Sequence, residues 1–127
     1  MLPFALEKFG FNQVDITGLL GQAQFCGADT DNVTVLMAVL GPLKIMTITM
    51  TETVGEVNQD GLTFANALPE QYWPQQNFST PITLIDDTAS TYSQVYLNIQ
   101  NTGAIELLVT DNLNNNEYII SQTFLYL

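Results

Sequence analysis

Two short clusters of acidic residues are the first groups in this sequence that could carry chemistry. Asp86 and Asp87 are adjacent, and Asp29, Asp31 and Asn32 fall within four positions. Two carboxyl groups roughly 5–10 Å apart across a cleft can hydrolyse a glycosidic bond, and carboxylate and amide oxygens can bind Ca²⁺. Asp and Asn are also common turn residues. We favour turns for both clusters, with a calcium site near Asp29 and Asp31 as the second interpretation and catalysis as the third.

Aromatic side chains beside polar residues indicate a different chemistry, the binding of sugars. Tyr72 and Trp73 lie in an irregular segment rich in proline and glutamine, whereas Tyr92 and Tyr96 fall on the polar parity of a strand. An exposed aromatic ring can stack on a sugar while nearby Asp, Asn or Gln side chains bind its hydroxyl groups. The alternatives are burial of Trp73 against the core and packing of Tyr96 between subunits. The candidate ligand-binding residues are Tyr72, Trp73, Asp86, Asp87, Tyr92 and Tyr96.

The charge balance argues against several classes of function. The 127 residues include 13 acidic side chains, two lysines, no arginine and no histidine, for a net charge of −11. Binding to nucleic acids and to anionic membranes depends on Lys and Arg, so we expect neither partner. Nucleophile–histidine pairs are absent, and zinc sites normally use His and Cys. We therefore expect a protein that is not an enzyme and that needs no cofactor.

Neutral polar residues take the place of the charged ones. Thr, Asn and Gln together make up 36 positions, while charged residues are 12% of the chain, against about 25% in an average globular domain. The hydrophobic fraction of 46% argues against disorder. The length fits one domain over residues 1–127 with a single packed core. Cys26 has no second cysteine to pair with in the chain, so we expect a small buried hydrophobic residue there.

Alternation of apolar and polar residues runs through most of the chain and predicts β-strands. In residues 92–100 every second side chain from Val95 onward is apolar, which is typical of a half-buried strand. An Asn-Thr-Gly turn at 101–103 then leads into a strand over 104–109, so these segments predict a β-hairpin. The same alternation predicts a final strand over 118–127.

The remaining elements are short, and together they define the fold class. The apolar run 33–50 is nearly long enough to cross a bilayer, but the central Gly41-Pro42 turn and Lys44 favour two strands and no membrane insertion. About eight to ten short strands with turns roughly every ten residues predict an all-β, antiparallel jelly-roll β-sandwich. Further strands are predicted over 4–9, 13–20, 33–40, 43–53, from Leu62 and over 81–85, with loops over 21–32, 67–80, 86–91 and 111–116.

Several predicted strands are apolar on both faces. A sandwich of this length buries one face of each sheet, and a large exposed apolar patch usually marks an interface. We therefore expect a homo-oligomer. Because copies of charge −11 repel one another, they must associate through apolar contact or through bound cations. The residues concerned are Leu36, Val39, Leu40, Ile45, Met46, Ile48, Met50, Leu107 and Leu108.

Short motifs at both ends of the chain resemble those of a family of viral proteins. They lie at residues 9–18, 62–64, 68–69, 72–74, 95–107 and 124–126. Their order and residue types are similar to the trimeric, tumour-necrosis-factor-like (TNF-like) jelly-roll heads of phage tail fibres, baseplates and viral spikes. The resemblance implies a homotrimer on the virion surface that binds a glycan or protein of the host surface.

These observations lead to one preferred function and two alternatives. We predict a non-enzymatic viral head or spike domain that binds a host-surface receptor as a homotrimer. A carbohydrate is the receptor that we favour, because sugar recognition needs hydrogen-bonding groups and stacking faces more than charge. The first alternative is a structural virion protein, such as a capsid decoration or a fibre cap, that binds only neighbouring subunits. The second is a carbohydrate-active enzyme, which would need two carboxylates converging in a cleft.

Overall fold

The computed structural model describes residues 12–53, 61–109 and 116–127. Within these ranges the chain forms ten β-strands and two short 3₁₀ helices, Thr17–Leu20 and Glu70–Tyr72. The strands are β1 (Val14–Asp15), β2 (Ala23–Phe25), β3 (Ala28–Thr30), β4 (Val33–Leu40), β5 (Leu43–Thr53), β6 (Leu62–Phe64), β7 (Phe78–Asp86), β8 (Thr91–Ile99), β9 (Ile105–Leu108) and β10 (Glu117–Tyr126).

All strand pairs are antiparallel, in the order β1-β4-β5-β10-β7-β8-β9-β6-β2-β3. Strand β10 pairs with β5 along its whole length, but it meets β7 at only two positions, Tyr118↔Asp86 and Ile119↔Ile85. The curled sheet therefore divides there into a four-stranded layer (β1, β4, β5, β10) and a six-stranded layer (β7, β8, β9, β6, β2, β3). The predicted all-β, antiparallel, jelly-roll-like sandwich is confirmed.

The core lies between the two layers and takes alternate residues from each. In the four-stranded layer, Met37, Met46 and Phe124 are cross-strand neighbours, and all three are buried. In the six-stranded layer, Leu97 pairs with Leu107, and both are fully buried. These side chains belong to one continuous apolar cluster, whose burial is the main force that holds the layers together.

Aromatic side chains close the core where β7 and β10 separate. The Phe78 ring stacks on Phe124 and Tyr126, with ring centroids 5.9 and 5.4 Å apart. The buried Tyr126 hydroxyl donates a hydrogen bond of 2.8 Å to the carbonyl oxygen of Tyr72. Burial raises the pKa of Tyr126 above its ordinary value, with a further contribution from Tyr72, so the phenol stays protonated and remains a donor.

We expect the substitution Tyr126→Phe to lower the free energy of unfolding by about 1–2 kcal/mol, because it leaves a buried carbonyl without its donor while keeping the ring. Urea denaturation followed by circular dichroism measures this change. An unchanged midpoint would show that the hydrogen bond to Tyr72 contributes nothing to stability.

Most of the predicted strands are confirmed. The apolar run forms the β4–β5 hairpin around Gly41-Pro42, and the final strand runs over Glu117–Tyr126. The predicted turns at 86–91 and 101–103 are present, and Cys26 is buried. The predicted strand over 4–9 and nearly all of the predicted loop at 111–116 lie outside the described residues. In the part of the chain that the structure describes, no helix has the length and apolarity to cross a membrane.

The predicted strand over 13–20 is wrong beyond its first residues. Strand β1 covers only Val14–Asp15 and is followed by the 3₁₀ helix Thr17–Leu20. The Asp15 side chain accepts a hydrogen bond of 2.9 Å from the backbone N–H of Thr17. Such a local contact offers the backbone an alternative to strand pairing, so the chain turns after Asp15 despite its apolar alternation.

The predicted loop over 21–32 is also wrong, because it contains the β2–β3 hairpin. Its turn residues Cys26 and Gly27 have φ angles of 53° and 84°. Two consecutive positive φ angles define the turn that best matches the twist of a two-residue hairpin. Asn-Gly and Asp-Gly are the usual residue pairs in this turn. The Cys-Gly pair therefore did not indicate a hairpin in the sequence.

Strand β7 is longer than the predicted strand over 81–85, since it runs from Phe78 to Asp86 through Pro81. Proline cannot donate to a neighbouring strand, which confines it to unpaired edges. Among the described residues, β7 pairs with β10 only near Ile85. One edge of β7 is therefore unpaired at Pro81, which explains why the proline does not end the strand.

Candidate functional site

A continuous row of polar side chains crosses the outer face of the six-stranded layer. The register makes each member the direct cross-strand partner of the next, from β7 at one side to β3 at the other. At the β3 end, the Gln24 side-chain amide donates a hydrogen bond of 3.0 Å to the Asp29 carboxylate. The polar row consists of Ser79, Asn98, Glu106, Thr63, Gln24 and Asp29.

The β7 end of this row, from Ser79 to Thr63, borders a surface hollow of about 520 Å³. Hollows of several hundred Å³ are typical of small-ligand sites. Amides and hydroxyl groups dominate its polar lining, and Glu106 supplies a carboxylate. We call it the polar hollow, and its polar lining residues are Thr63, Asn77, Ser79, Asn98, Gln100 and Glu106.

Two exposed tyrosines lie on the same face of β8 as Asn98, and Tyr96 is the nearer of them to the polar hollow. Tyr92 and Tyr96 are 73% and 53% exposed, and Tyr96 is two positions from Asn98, which lines the hollow. Four residues of strand place the two tyrosines roughly 13 Å apart, with Gln94 between them. The face therefore presents two aromatic rings with the Gln94 amide between them and the Asn98 amide beyond Tyr96.

Asp86 and Asp87 have different surroundings, as expected for adjacent residues at the end of a strand. The buried Asp86 carboxylate accepts hydrogen bonds of 2.9 Å from the backbone N–H of Ala89 and from the Asn116 side-chain amide. These hydrogen bonds hold the pKa of Asp86 below its ordinary value, and the bond from Ala89 contributes most. The exposed Asp87 donates its backbone N–H to the Glu117 carbonyl. Asp86 therefore stabilises the β7–β8 turn, in agreement with the turn interpretation.

The lowered pKa of Asp86 predicts a specific loss of stability in acid. A carboxylate with a depressed folded-state pKa stabilises the fold fully above about pH 4 and loses that contribution as the pH falls through the folded-state value. We expect Asp86→Asn to lower the melting temperature at pH 7 and to reduce its decline between about pH 4 and pH 2. Thermal denaturation measures both effects, with Asp87→Asn as the matched control. Identical pH profiles for Asp86→Asn and the unmodified protein would contradict this role.

Tyr72 and Trp73 lie away from the exposed surface of β8. The Tyr72 side chain is buried. Trp73 is half-buried, and its indole Nε1 donates a hydrogen bond of 2.7 Å to the Leu68 carbonyl. A Cβ at Gly103 would lie 2.2 Å from the same Nε1, so the indole packs directly on the turn between β8 and β9. Tyr72 belongs to the main apolar core and Trp73 packs against that core, which is the alternative considered for Trp73.

The second acidic cluster divides between two places. The Asp29 carboxylate binds Gln24 in the polar row, whereas Asp31 lines a separate hollow together with Glu52 and Glu117. Glu52 accepts hydrogen bonds from the side chains of Thr30 and Asn32. Within residues 12–53, 61–109 and 116–127, no three His, Cys, Asp or Glu side chains are placed to hold a metal ion. The described residues therefore give the calcium interpretation no support.

The chain matches no protein-family model and no curated protein sequence. The resemblance to TNF-like heads therefore stays a prediction.

Register explains which members of this site the sequence could reveal. Tyr92 and Tyr96 could be identified from the sequence because the alternation within one strand shows which face each side chain is on. Ser79, Glu106 and Thr63 come from three other strands, and only the pairing of those strands with β8 and with each other brings them beside Asn98. The alternation in each strand could show that these polar residues face outward. It could not show which of them become neighbours, because that depends on how the strands pair.

Proposed function

We propose that this chain is a non-enzymatic binding module and that it binds a carbohydrate on the outer face of the six-stranded layer. The observation that carries the proposal is the polar hollow on a face where β8 also exposes Tyr96 and, further along the strand, Tyr92. Amide and hydroxyl groups can both donate to and accept from sugar hydroxyls, and an ionised carboxylate accepts from them. Tyrosine supplies a flat apolar ring that carries a polar hydroxyl group. The site combines both kinds of contact within one face.

The dimensions favour an oligosaccharide over a single sugar. A span of roughly 13 Å between Tyr92 and Tyr96 is longer than one sugar ring. The tyrosines can therefore stack on separate residues of a chain while Gln94 and Asn98 bind hydroxyl groups between and beyond them. Because Glu106 is the only charged residue in the hollow's described lining, a neutral ligand fits this surface better than a strongly anionic one.

The same lining favours binding over hydrolysis. Glycoside hydrolysis uses a pair of carboxyl groups on either side of the bond that breaks. Within the described residues, the polar hollow is lined by one carboxylate, that of Glu106. The carboxylates of Asp86 and Asp87 belong to the β7–β8 turn and are not part of the lining.

The biological setting that we propose follows from the sequence resemblance. It is the receptor-binding head of a viral fibre, spike or tail device, displayed on the virion surface as a homotrimer, with a host-surface glycan or glycoprotein as its partner. A structural virion protein that binds only neighbouring subunits is the second candidate. The exposed leucines of the four-stranded layer favour it, because an apolar face is suited to permanent protein contact.

A glycan array probed with the fluorescently labelled protein tests the proposal. We expect concentration-dependent binding to one group of related glycans, and this binding should be competed by the same glycans in free form. Absence of glycan binding together with binding to purified virions or capsids would favour the structural alternative. Cleavage of any array glycan by the protein would contradict a non-enzymatic role.

A further inference from the structure

We propose that the sugar bound at the polar hollow carries an acetamido group, and that this group binds in a second hollow that adjoins the first. The inference rests on the proposed carbohydrate function and names the class of sugar, an N-acetylated one. The second hollow has a volume of about 510 Å³. We call it the aromatic hollow, and it is lined by Gln75, Gln76, Asn77, Phe78, Tyr126 and Leu127.

The aromatic hollow and the polar hollow meet where β7 begins. Asn77 and Phe78 line both of them, so a ligand in the polar hollow reaches the aromatic hollow directly past these two side chains. Each hollow has a volume typical of small-ligand sites. One sugar ring can therefore lie in the polar hollow while its substituent extends into the aromatic hollow.

Ring stacking and a backbone hydrogen bond fix the walls of the aromatic hollow. The Phe78 ring stacks on Tyr126 with the centroids 5.4 Å apart, and the backbone N–H of Gln75 donates a hydrogen bond of 3.0 Å to the Leu127 carbonyl. The Leu127 residue is 58% exposed, so a ligand that covers its side chain gains free energy from apolar burial. The hollow therefore offers a preformed apolar wall to a methyl group.

The turn between β8 and β9 fixes the orientation of the Asn77 amide. Its Oδ1 atom accepts a hydrogen bond of 2.9 Å from the backbone N–H of Asn101. A backbone N–H can pair only with the oxygen of an amide, so this bond assigns the oxygen to the turn. The nitrogen Nδ2, which can only donate, remains for a ligand at the boundary between the two hollows.

An acetamido group matches this combination of a donor and an apolar wall. Its carbonyl oxygen can accept from Nδ2 of Asn77, while its methyl group contacts Phe78, Tyr126 and Leu127. Its N–H can donate to a glutamine side chain of the lining. None of the six lining side chains is charged, so a neutral substituent fits better than a carboxylate or an ammonium group. A hydroxyl group in the same place would leave the apolar wall uncovered.

Array glycans that differ only in an acetamido or a hydroxyl group at one carbon test the inference, with triacetylchitotriose and cellotriose as one such pair. We expect the acetamido member of the pairs that bind to bind about tenfold more tightly. Leu127→Ala should reduce this preference about threefold, because it removes part of the apolar wall. Leu19→Ala is the matched control, since Leu19 is equally exposed, at 58%, but lies on a 3₁₀ helix.

Asn77→Asp tests the hydrogen bond. It keeps an oxygen for Asn101 but replaces the donor Nδ2 by an acceptor, so the preference for the acetamido member should disappear. The acetamido N–H points away from its own carbonyl in a trans amide and cannot replace the lost bond. A sugar hydroxyl can turn and donate to the carboxylate, so the hydroxyl member should lose less affinity. Asn101→Asp is the matched control, because it adds the same charge at a residue that lines neither hollow.

The outcomes separate this inference from the proposed function. If glycans bind but the members of each pair bind equally, or if Leu127→Ala and Asn77→Asp both keep the preference of the unmodified protein, the acetamido inference is wrong although the carbohydrate proposal stands. Absence of binding to every glycan would overturn both. Because Asn77 and Leu127 are exposed, neither substitution should change the melting temperature by more than a few degrees.

Discussion

Substitution of Gly61 by alanine is expected to destabilise the fold by about 3 kcal/mol or more. Gly61 has a φ angle of +78°, and a Cβ at this position would lie 1.9 Å from the backbone oxygen of Leu107. Its own carbonyl accepts a hydrogen bond of 2.7 Å from Cys26. The added methyl group meets the backbone of β9, which cannot move away without separating β6 from β9. The substitution therefore disrupts strand pairing within the six-stranded layer that carries the polar row.

The control for Gly61→Ala is Gly41→Ala in the β4–β5 turn. Gly41 also has a positive φ angle, +59°, but a Cβ there would meet nothing within 4 Å. We expect a cost of about 1 kcal/mol from backbone conformation alone. Urea denaturation of both variants measures the difference. Equal midpoints for the two variants would show that β6 and β9 are not packed as closely as described.

Substitution of Tyr96 by alanine is expected to weaken glycan binding about thirtyfold or more, because truncation of a tyrosine that is a hot spot of a binding face costs about 2 kcal/mol or more. Tyr96 is adjacent along its face of β8 to Asn98, which lines the polar hollow. Tyr96→Phe keeps the stacking ring and should lose less affinity. Because the side chain is half exposed, neither change should lower the melting temperature by more than a few degrees.

The affinity of Tyr96→Ala is measured by titration calorimetry with the glycan that binds most tightly on the array. Leu19→Ala is the matched control, because it removes an exposed apolar side chain from a different surface. If Tyr96→Ala binds as tightly as this control, the ligand does not stack on β8. That result would leave the fold intact but remove the aromatic part of the site.

The sequence was sufficient for the parts of the fold that depend on local signals. The Gly41-Pro42 turn within an apolar run indicated the β4–β5 hairpin, and in β10 Tyr118, Ile120, Phe124 and Tyr126 all face the core as their spacing indicates. The β2–β3 hairpin could not be anticipated, because it depends on positive φ angles at Cys26 and Gly27. The early end of β1 depends on one Asp15 side chain that binds the backbone nearby.

The candidate site shows the same division between local and long-range information. Parity placed Tyr92 and Tyr96 on an outward face, and the structure leaves both exposed. Burial of Tyr72 accompanies the contact of its carbonyl with Tyr126, 54 positions away, and no local pattern encodes that contact. Asp86 likewise pairs with Asn116 at a separation of 30 residues. Contacts between residues distant in the sequence therefore decided which candidate side chains remained available to a ligand.

Mapping of amide chemical shifts during titration with the array's tightest glycan tests the central claim most directly. If the ligand binds the outer face of the six-stranded layer, the largest shifts should fall on β8 and β9 and on the turn at 101–103. Residues of β4 and β5, and those of β10 before Tyr126, should change little. Shifts confined to those three strands, or spread evenly over both layers, would contradict a carbohydrate site at the polar hollow.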